Sequence, residues 1–340
     1  MMEVGRVKQL WCYPVKSMQG VPVDSSLIEK SGMLGDRNWA LRDESIGELT
    51  TVRKLPKLLK FQAVYHQNTA SQDTEPQYIR RQNTSRSKHD NVAPVSITLP
   101  DGSTVSSQDV DVNQKLSEAI GRPVTLWPLQ PMTNIRHYLL KVPAGAEAMK
   151  KQFATKQLPD FSSVTWRMMM ELAVFVTPLG RYHDVYPLHL LTTNSLEKLQ
   201  QLEPAGDFCV ERFRPNLLIE ACSGGVDFAE FAWVDGKLYI GDTVLEVVSR
   251  TVRCSMPAQP QVTLQKDAKV LRTLESHTQR HLGVNVSVLQ AGLIRVGDPV
   301  LFEPSDRSAL VRRFDAVSAG LRNRAIQRSF KLIDRLAKIR

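Results

Sequence analysis

The chain has 340 residues, of which 42% are hydrophobic and 23% are charged, a composition typical of a folded protein with room for two ordinary domains. Its four cysteines are far apart and form no CxxC pair, which argues against a zinc ribbon, an iron–sulfur cluster and a disulfide scaffold. The first residues contain no apolar signal segment, and no run of about 18 apolar residues appears. We therefore expect a soluble protein of a reducing compartment, the cytoplasm.

Most of the net charge of +9 lies at the end of the chain. Residues 306–340 contain ten Lys or Arg against three Asp, a net charge of +7, so the remainder is nearly neutral. The basic composition is therefore no reason to expect nucleic-acid binding. Apolar residues in this tail recur at helical spacing on both sides of Gly320, which predicts two amphipathic basic helices. We favour packing of the tail on its own protein, and the alternative is contact with an anionic membrane or an acidic partner.

The first part of the chain predicts short strands separated by turns. Within residues 5–65, apolar and polar side chains alternate over 6–11 and 21–28, whereas residues 66–94 are almost entirely polar and predict a long inserted loop. A hairpin is predicted around Pro100-Asp101-Gly102, then a helix over 112–120 and a strand over 124–127.

The second part combines helices with further strands. A helix is predicted around 166–175, and another follows the strand at 188–191, with Thr193 or Asn194 as its N-cap. Apolar runs on either side of Gly241-Asp242 and of Gly297-Asp298-Pro299 predict two hairpins. Short strands at regular spacing favour barrels or sandwiches over a doubly wound sheet. The predicted class is mainly β with flanking helices (α+β).

Two turns in the first part carry residues suited to an anion. Lys16 and Ser17 follow Pro14 at the end of the first predicted strand, and an ammonium beside a hydroxyl can hold phosphate oxygens. Arg37, in the Gly35-Asp36-Arg37 turn, is a second candidate. The alternative for Lys16-Ser17 is a solvent-exposed turn, and the alternative for the Arg37 segment is an ordinary Gly-Asp turn that opens a strand.

The second part offers two more anion-binding segments. Arg212 and Arg214 precede Pro215-Asn216, and the proline predicts an extended conformation for Arg214. Thr193 and Ser195 at a helix start provide hydroxyls and free backbone N–H groups. Surface ion pairs for the arginines and simple helix capping for the hydroxyls remain as alternatives.

Cys254 is the best candidate for a reactive cysteine. Arg250 and Arg253 flank it, and a nearby cation favours the thiolate, which is a nucleophile and a ligand for soft metals. The alternative is a buried, unreactive thiol. The seven histidines show no metal-binding spacing, and we interpret His183 and His189 as structural. A cofactor with an anionic tail and a thiolate-bound metal would use both the cationic turns and Cys254.

These segments resemble a known family. YPVKSMQG, GDRNWA and LTTVRKL resemble the N-terminal β-barrel domain that precedes MOSC domains, and YPLHLLTTNSL, RFRPNLLIE, VRCSMPAQPQ and IRVGDPVLF resemble the MOSC domain itself. The blocks occur in the same order over most of residues 5–302. The family includes bacterial proteins and the mitochondrial amidoxime-reducing components. The resemblance implies an N-terminal β-barrel-like domain over 1–130, a MOSC β-barrel domain over 131–305 and a basic helical extension over 306–340.

The resemblance also implies a molybdenum cofactor (molybdopterin) between the two domains, with Cys254 as metal ligand. Arg253 matches the residue before that ligand and is implied to act with it in catalysis. The positions that match cofactor-binding blocks are Lys16, Ser17, Arg37, Thr193, Ser195, Arg212, Arg214 and Asn216.

The activity implied by the resemblance is two-electron reductive removal of oxygen from small N-hydroxylated substrates, with an external electron-donor reductase as partner. The alternative is a carrier that holds a persulfide or the cofactor at Cys254 for delivery to another enzyme. Ser255-Met256-Pro257 follows the cysteine where many members have a Thr-Thr-Val-Asp-Pro-type stretch, and Thr251 stands where many have another cysteine. We therefore expect the substrate side to differ. No cysteine follows Cys254, so no fused iron–sulfur domain is expected.

Overall fold

A computed structural model describes residues 1–66, 92–141, 145–162, 164–222, 227–306 and 309–337, the last range with side chains over 317–335. The polar loop predicted at 66–94 therefore lies almost entirely outside the described residues. Within these ranges, no helix has both the length and the apolar character needed to cross a membrane.

The first part of the chain is mostly β-structure. Its strands are β1 (Met2–Cys12), β2 (Val21–Val23), β3 (Ser25–Glu29), β4 (Gly32–Met33), β5 (Trp39–Asp43), β6 (Glu48–Leu49), β7 (Gln62–Tyr65), β8 (Val95–Thr98), β9 (Thr104–Ser106) and β10 (Val124–Pro128). Its helices are α1 (Val112–Ile120), α2 (Ile135–Tyr138) and α3 (Ala146–Phe153), with a 3-10 helix over Pro56–Lys60. The predicted helix over 112–120 is confirmed, and it ends at Gly121, whose φ of 82° is the left-handed value that glycine tolerates.

The second part alternates strands with helices. Its strands are β11 (Leu188–Thr192), β12 (Leu217–Ala221), β13 (Lys237–Ile240), β14 (Thr243–Val252), β15 (His281–Gln290), β16 (Gly292–Arg295) and β17 (Pro299–Glu303). Its α-helices are α4 (Trp166–Val174), α5 (Thr193–Leu202), α6 (Ala268–Thr278) and α7 (Ala309–Ala337), with 3-10 helices over Val210–Arg212, Ala229–Trp233 and Met256–Ala258. The predicted tight hairpin is confirmed, because Ile240 pairs with Thr243 across Gly241-Asp242.

Seven strands close into a barrel. Their order is β12, β11, β15, β14, β13, β17 and β1, and the barrel closes because β1 pairs with both β17 and β12. The strand β1, from the start of the chain, is thus built into one barrel with strands from its second part. The barrel and its flanking helices confirm the predicted mainly β, α+β class. The strand β2 pairs with β1 beside the barrel, and three smaller three-stranded sheets, β10-β5-β6, β7-β8-β9 and β16-β3-β4, contain the remaining strands of the described residues.

The barrel separates two apolar layers, because successive side chains of a strand point to opposite faces. Leu190 and Leu217, which pair across β11 and β12, belong to the main core with the other inward-facing barrel residues. Leu191 and Leu218 belong to a second cluster, which also contains Leu199 of α5 and residues of α6. The barrel is therefore filled inside and covered by helices on this outer face.

Three local predictions are wrong. The apolar runs around Gly297 do not form a hairpin with each other, since β16 pairs with β3 whereas β17 pairs with β1 and β13. Gly320 lies inside the continuous helix α7, where a glycine costs only about 1 kcal/mol relative to alanine. The N-cap of α5 is Thr192, whose hydroxyl accepts from Ser195 N, one residue before the predicted position.

Candidate functional site

The first predicted anion-binding turn follows the end of β1, and backbone hydrogen bonds to Trp39 and Phe61 hold it in place. Lys16 N donates to Trp39 O (2.8 Å), and Gln19 N donates to Phe61 O (2.8 Å). Ser17 has a left-handed φ of 72°, and its Oγ accepts from the backbone N–H of Val52 (2.9 Å). Lys16 and Ser17 are both buried, so this segment is not the solvent-exposed turn of the alternative interpretation.

Lys16 is held in a buried polar contact. Its Nζ donates to Tyr182 O (2.8 Å) and to Asp184 Oδ1 (2.5 Å), and only 4% of the residue is exposed. Burial lowers the pKa of Lys16, while the carboxylate of Asp184 opposes this shift. The guanidinium of Arg53 lies 3.7 Å from the same carboxylate oxygen. Asp184 is thus shared by two cations.

Arg37 reaches the same region from the next turn. Its guanidinium forms an ion pair with the buried Asp36 and lies 3.4 Å from Asn216 Oδ1. Asp36 also accepts from Tyr13 N (2.8 Å) and lies 3.3 Å from His183 Nε2. Asp36 thereby joins the turn that carries Arg37 to the end of β1.

Arg214 lies deep in the protein beside Tyr13. Its Cζ is 4.3 Å from the Tyr13 ring centroid, and its Nη1 donates to Met18 O (2.5 Å). Burial lowers the pKa of Arg214 to about 10. The predicted extended conformation is wrong: Arg214 has a left-handed φ of 53°, because its N–H closes a turn onto Val210 O (3.2 Å).

Arg253 follows β14 and is buried against the loop that contains Phe213 and Arg214. Its Nη2 donates to Phe213 O (2.8 Å), its Nη1 lies 3.4 Å from His189 Nε2, and its Nε has no hydrogen-bond partner among the described residues. Burial lowers the pKa of Arg253, and the adjacent Cys254 opposes this shift. Within the described part of the chain, no carboxylate lies within ion-pair distance (4 Å) of Arg214 or Arg253. Two buried guanidiniums therefore lack a neutralising partner.

The four cysteines are free thiols in different surroundings. Cys254 is half-buried and directly follows Arg253. Burial raises the pKa of Cys12, and burial with Asp207 as neighbour raises that of Cys209 to about 12, so both favour the neutral thiol. Cys222 is exposed, with its Sγ 3.6 Å from Glu3 O. Cys254 is the thiol that combines partial exposure with a neighbouring buried cation.

Asn216 joins β1, β11 and the arginine loop. Its Oδ1 accepts from His189 N (3.2 Å), and its Nδ2 donates to Trp11 O (3.3 Å). Together with the contact to Arg37 described above, these bonds tie the beginnings of β11 and β12 to the end of β1. We call the group of Tyr13, Lys16, Arg37, Arg214, Asn216, His189, Arg253 and Cys254 the cationic cluster.

Three of the sequence-predicted residues have other partners. The Ser195 hydroxyl donates to the carboxylate of the fully buried Glu230, as does that of Thr192. Arg212 pairs with Asp207 (2.6 Å) and donates to Pro257 O (3.1 Å). Thr193 contacts Asn194 Oδ1 at 3.4 Å. No hydrogen bond among the described residues links Thr193, Ser195 or Arg212 to the cationic cluster. Their role in cofactor binding remains a prediction, as do the roles of the other site residues.

Sequence reasoning missed several members of the site. His183 and His189, interpreted as structural, lie beside Asp36 and Arg253 respectively. Tyr13 lies in the first segment that resembles the family, whereas Asp184 lies two residues before the segment that begins at Tyr186, and the sequence predicts a role for neither. A single aspartate or tyrosine in a loop carries no signal by itself. Only the fold shows that each faces a cation.

The donor set fits an anionic cofactor with a soft metal. Buried cations are costly unless they are neutralised, so the unpaired guanidiniums of Arg214 and Arg253 favour an anionic group beside them. A partly exposed thiol beside Arg253 is suited to ligate a soft metal as thiolate. Among the described residues, no three His, Cys, Asp or Glu side chains form a group that could hold a metal ion.

Comparison with known proteins agrees with this chemistry. The chain matches the MOSC N-terminal beta barrel domain over residues 4–123 and the MOSC domain over residues 180–301. It is 26% identical to human mitochondrial amidoxime reducing component 2 over 321 residues, which cover 88% of this chain and 84% of the relative. Identity to Xenopus laevis mitochondrial amidoxime-reducing component 1 is 28% over 319 residues, covering 88% and 82% of the two chains.

Two further similarities are more limited. A molybdenum cofactor sulfurase of Oryza sativa subsp. japonica is 33% identical over 287 residues, which cover 81% of this chain but 31% of that protein. Among solved structures, the YUAD protein of Bacillus subtilis has a TM-score of 0.38 and 9% identity, with 87% of this chain and 93% of that chain covered.

The barrel and the two matched domains define a MOSC-type protein. The chain belongs to the MOSC domain family, in the group that carries the N-terminal MOSC β-barrel domain and has mitochondrial amidoxime-reducing components as homologues. These similarities support a function related to the molybdenum cofactor and an enzyme of the reductase type. The domain boundaries at residues 130 and 305 stay predictions.

Proposed function

We propose that the protein is a reductase of N-hydroxylated compounds that binds molybdenum cofactor at the cationic cluster, with Cys254 as metal ligand. The observation that carries this proposal is the pair of buried, unpaired guanidiniums, Arg214 and Arg253, together with the partly exposed thiol that follows Arg253. The names of the amidoxime-reducing relatives support the substrate class. The domain matches support the cofactor.

Each turnover would break one N–O bond, consume two electrons and two protons, and release the reduced amine or amidine and one water molecule. An external reductase would supply the electrons. The molybdenum cofactor, when bound, contributes a metal that cycles between oxidation states two electrons apart.

The side chains of the protein would bind and orient the cofactor. Lys16, Arg37 and Arg214 would neutralise its anionic tail, and Ser17 would add a hydroxyl to this set. Cys254 would provide thiolate sulfur. Arg253, fixed by Phe213 O, would stabilise negative charge next to that sulfur.

The direct test is the metal and pterin content of the purified protein, compared with Cys254→Ser and with the control Cys222→Ser. We expect Cys254→Ser to lose molybdenum and amidoxime reduction by about tenfold or more, with reduced methyl viologen as electron donor. Cys222→Ser removes an exposed thiol that directly follows β12 and should retain both molybdenum and activity. Full molybdenum and full activity in Cys254→Ser would exclude the assigned role.

The second candidate function is a sulfur or cofactor carrier. The similarity to a protein named molybdenum cofactor sulfurase and the partial exposure of Cys254 favour it. A Cys254 persulfide treated with dithiothreitol should return to the thiol and release one sulfide per chain, while the dithiothreitol is oxidised to its disulfide. Stoichiometric sulfide that disappears in Cys254→Ser, without turnover of amidoximes, would support the carrier. Catalytic turnover would exclude it as the sole function.

A further inference from the structure

The carboxyl end of α3 is fixed directly beside Cys254. Ser255, the next residue along the chain, donates from its backbone N–H (3.1 Å) and its hydroxyl (2.8 Å) to Gln152 O. The guanidinium of Arg280 donates to Phe153 O and to Ala154 O, the latter at 2.9 Å. Side-chain and backbone donors thus satisfy the carbonyls that a helix leaves free at its end.

The same contacts connect α3 with the cationic cluster. Arg253 N donates to Arg280 O (2.8 Å), so the residues on both sides of Cys254 are linked to the end of α3, one through Arg280 and the other through Ser255. At its other end, α3 is held by α7, since Glu147 N donates to Asp334 Oδ2 (3.1 Å). The helix is therefore held at both ends.

The outer surface of this helix end is basic. A shallow depression of about 570 Å³ is lined by Glu147, Lys150, Lys151, Ala154, Thr155 and Lys156. Glu147 pairs with Lys150 at 2.9 Å, whereas Lys151 and Lys156 form no ion pair with any residue that the structure describes. Two exposed ammonium groups are thus left uncompensated next to the backbone that carries Cys254. We call Lys150, Lys151 and Lys156 the lysine face.

We propose that the lysine face is the docking surface for the electron donor, and that this donor presents an acidic protein surface. The inference rests on the proposed reductase function, because it assumes that electrons must reach a metal at Cys254. A donor that docks here would approach the end of α3, which accepts hydrogen bonds from Ser255 and Arg280. Redox partners form small, transient interfaces, and opposite charges raise their rate of encounter. The lysine face is basic, so it can attract an acidic donor. It also lies beside Cys254, so a small interface is enough to bring the donor close to the metal.

The test compares a protein donor with a small donor. The lysine-face variant carries three substitutions, Lys150→Glu, Lys151→Glu and Lys156→Glu. Purified wild type and this variant are reduced by a strongly acidic flavodoxin and, in a separate assay, by methyl viologen. The rate of amidoxime reduction is measured in both assays. We expect the triple variant to slow flavodoxin-supported turnover by about tenfold or more at low ionic strength and to abolish its salt dependence. Turnover with methyl viologen, which needs no docking surface, should remain within about twofold of wild type.

A matched charge reversal provides the control. The control variant reverses the charge of three exposed lysines on β1, α1 and β13, by Lys8→Glu, Lys115→Glu and Lys237→Glu. Its total change in charge equals that of the lysine-face variant, and it should leave flavodoxin-supported turnover unchanged. Equal losses in the two triple variants, or no loss in the lysine-face variant, would overturn the inference. So would wild type that is reduced by viologen but not by flavodoxin at low salt.

The outcome separates the docking surface from the proposed function. If wild type turns over no amidoxime with viologen, the proposed reaction fails. Direct binding of oxidised flavodoxin, measured by calorimetry, then decides the docking inference. Salt-sensitive binding that the lysine-face variant loses and the control variant keeps supports an acidic partner. Equal binding by all three proteins refutes it.

Discussion

The guanidinium of Arg214 lies over the ring of Tyr13, with 4.3 Å between Cζ and the ring centroid. Arg37 approaches the same ring at 4.9 Å. The Tyr13 hydroxyl, whose pKa is raised by burial, donates to Pro215 O (3.0 Å) and so fixes the ring against the loop of Arg214. One aromatic ring thus faces two cations and partly compensates their loss of hydration.

The ring and the hydroxyl of Tyr13 can be separated by substitution. Tyr13→Phe removes one buried hydrogen bond and should lower the free energy of unfolding by about 1 kcal/mol. Tyr13→Leu also removes both cation–ring contacts and should cost about 3 kcal/mol in all. Urea unfolding of the two variants and wild type at pH 7 measures this difference. Equal costs would mean that the ring does not stabilise the arginines.

Arg214 should affect stability and cofactor binding in different ways. Its lowered pKa of about 10 shows that burial disfavours the cation, so Arg214→Met should leave the free energy of unfolding of the cofactor-free protein within about 1 kcal/mol of wild type. The same variant should lose molybdenum by about tenfold or more, because the anionic tail loses its buried partner. Arg295→Met, at an exposed arginine of β16, is the control.

Urea unfolding and metal analysis of the same preparations test this prediction. If Arg214→Met lowered the free energy of unfolding by several kcal/mol and retained molybdenum, the role of the arginine would be structural. Loss of molybdenum from Arg295→Met as well would make the effect unspecific.

Local patterns were sufficient for much of the fold. The alternation in β1, the Gly121 stop of α1 and the Gly241-Asp242 hairpin all depend on neighbours close in sequence, and each is confirmed. The hairpin predicted around Gly297 is wrong because its strands pair with residues far away, Ile28 with Gly292 and Arg6 with Pro299. Strand pairing over such separations leaves no local signature.

The candidate site, like the fold, could be predicted from the sequence only where the signal comes from residues close in the chain. Lys16 and Arg253 could be named from their immediate neighbours, since Ser17 and Cys254 lie beside them. The partners of these cations, Asp184 and His189, come from other elements, so sequence spacing gave no reason to pair them. The hydroxyl of Ser195 likewise showed no sign that it would be used by Glu230, which is 35 residues away.

Gly283 makes room for His189. It has a φ of +73°, and a Cβ placed there would lie 2.3 Å from His189 Nε2 and 2.6 Å from Leu190 O. Gly283→Ala should therefore lower the free energy of unfolding by about 3 kcal/mol or more, the sum of backbone strain and the collision. Gly297→Ala, with a φ of +92° and no atom within 4 Å, should cost only about 1 kcal/mol.

Thermal and urea unfolding of the two glycine variants measure the contribution of the close approach. Because His189 contacts Arg253, Gly283→Ala should also reduce molybdenum content, whereas Gly297→Ala should not. Equal costs for the two alanines would show that His189 moves aside freely.

Glu230 should make stability depend on pH. It is fully buried with hydroxyl partners, and burial raises its pKa. The folded protein therefore binds this proton more tightly than the unfolded chain does, so the contribution of Glu230 to stability falls as pH rises from the unfolded value of about 4.3 through the raised pKa. Glu230→Gln carries no charge at any pH and should gain stability relative to wild type over this interval, by at most about 1.4 kcal/mol per pH unit.

Urea unfolding between pH 4 and pH 8 tests this dependence, with Glu118→Gln on the exposed surface of α1 as control. The difference between Glu230→Gln and wild type should widen as pH rises. A difference that is constant with pH would mean that Glu230 has the same proton affinity in the folded and unfolded states.

The helix α7 should contribute to stability through one face. Ile326 is 4% exposed, Asn323 Oδ1 accepts from Phe161 N (2.9 Å), and the rings of Phe330 and Phe161 are 5.4 Å apart, whereas Leu321 is 60% exposed. Ile326→Ala should lower the free energy of unfolding by about 2 kcal/mol or more and speed tryptic cleavage within α7. Leu321→Ala should change stability by less than about 0.5 kcal/mol. If both alanines left stability and cleavage unchanged, packing of α7 on residues 145–162 would contribute nothing to stability, and the basic tail would be free to bind elsewhere.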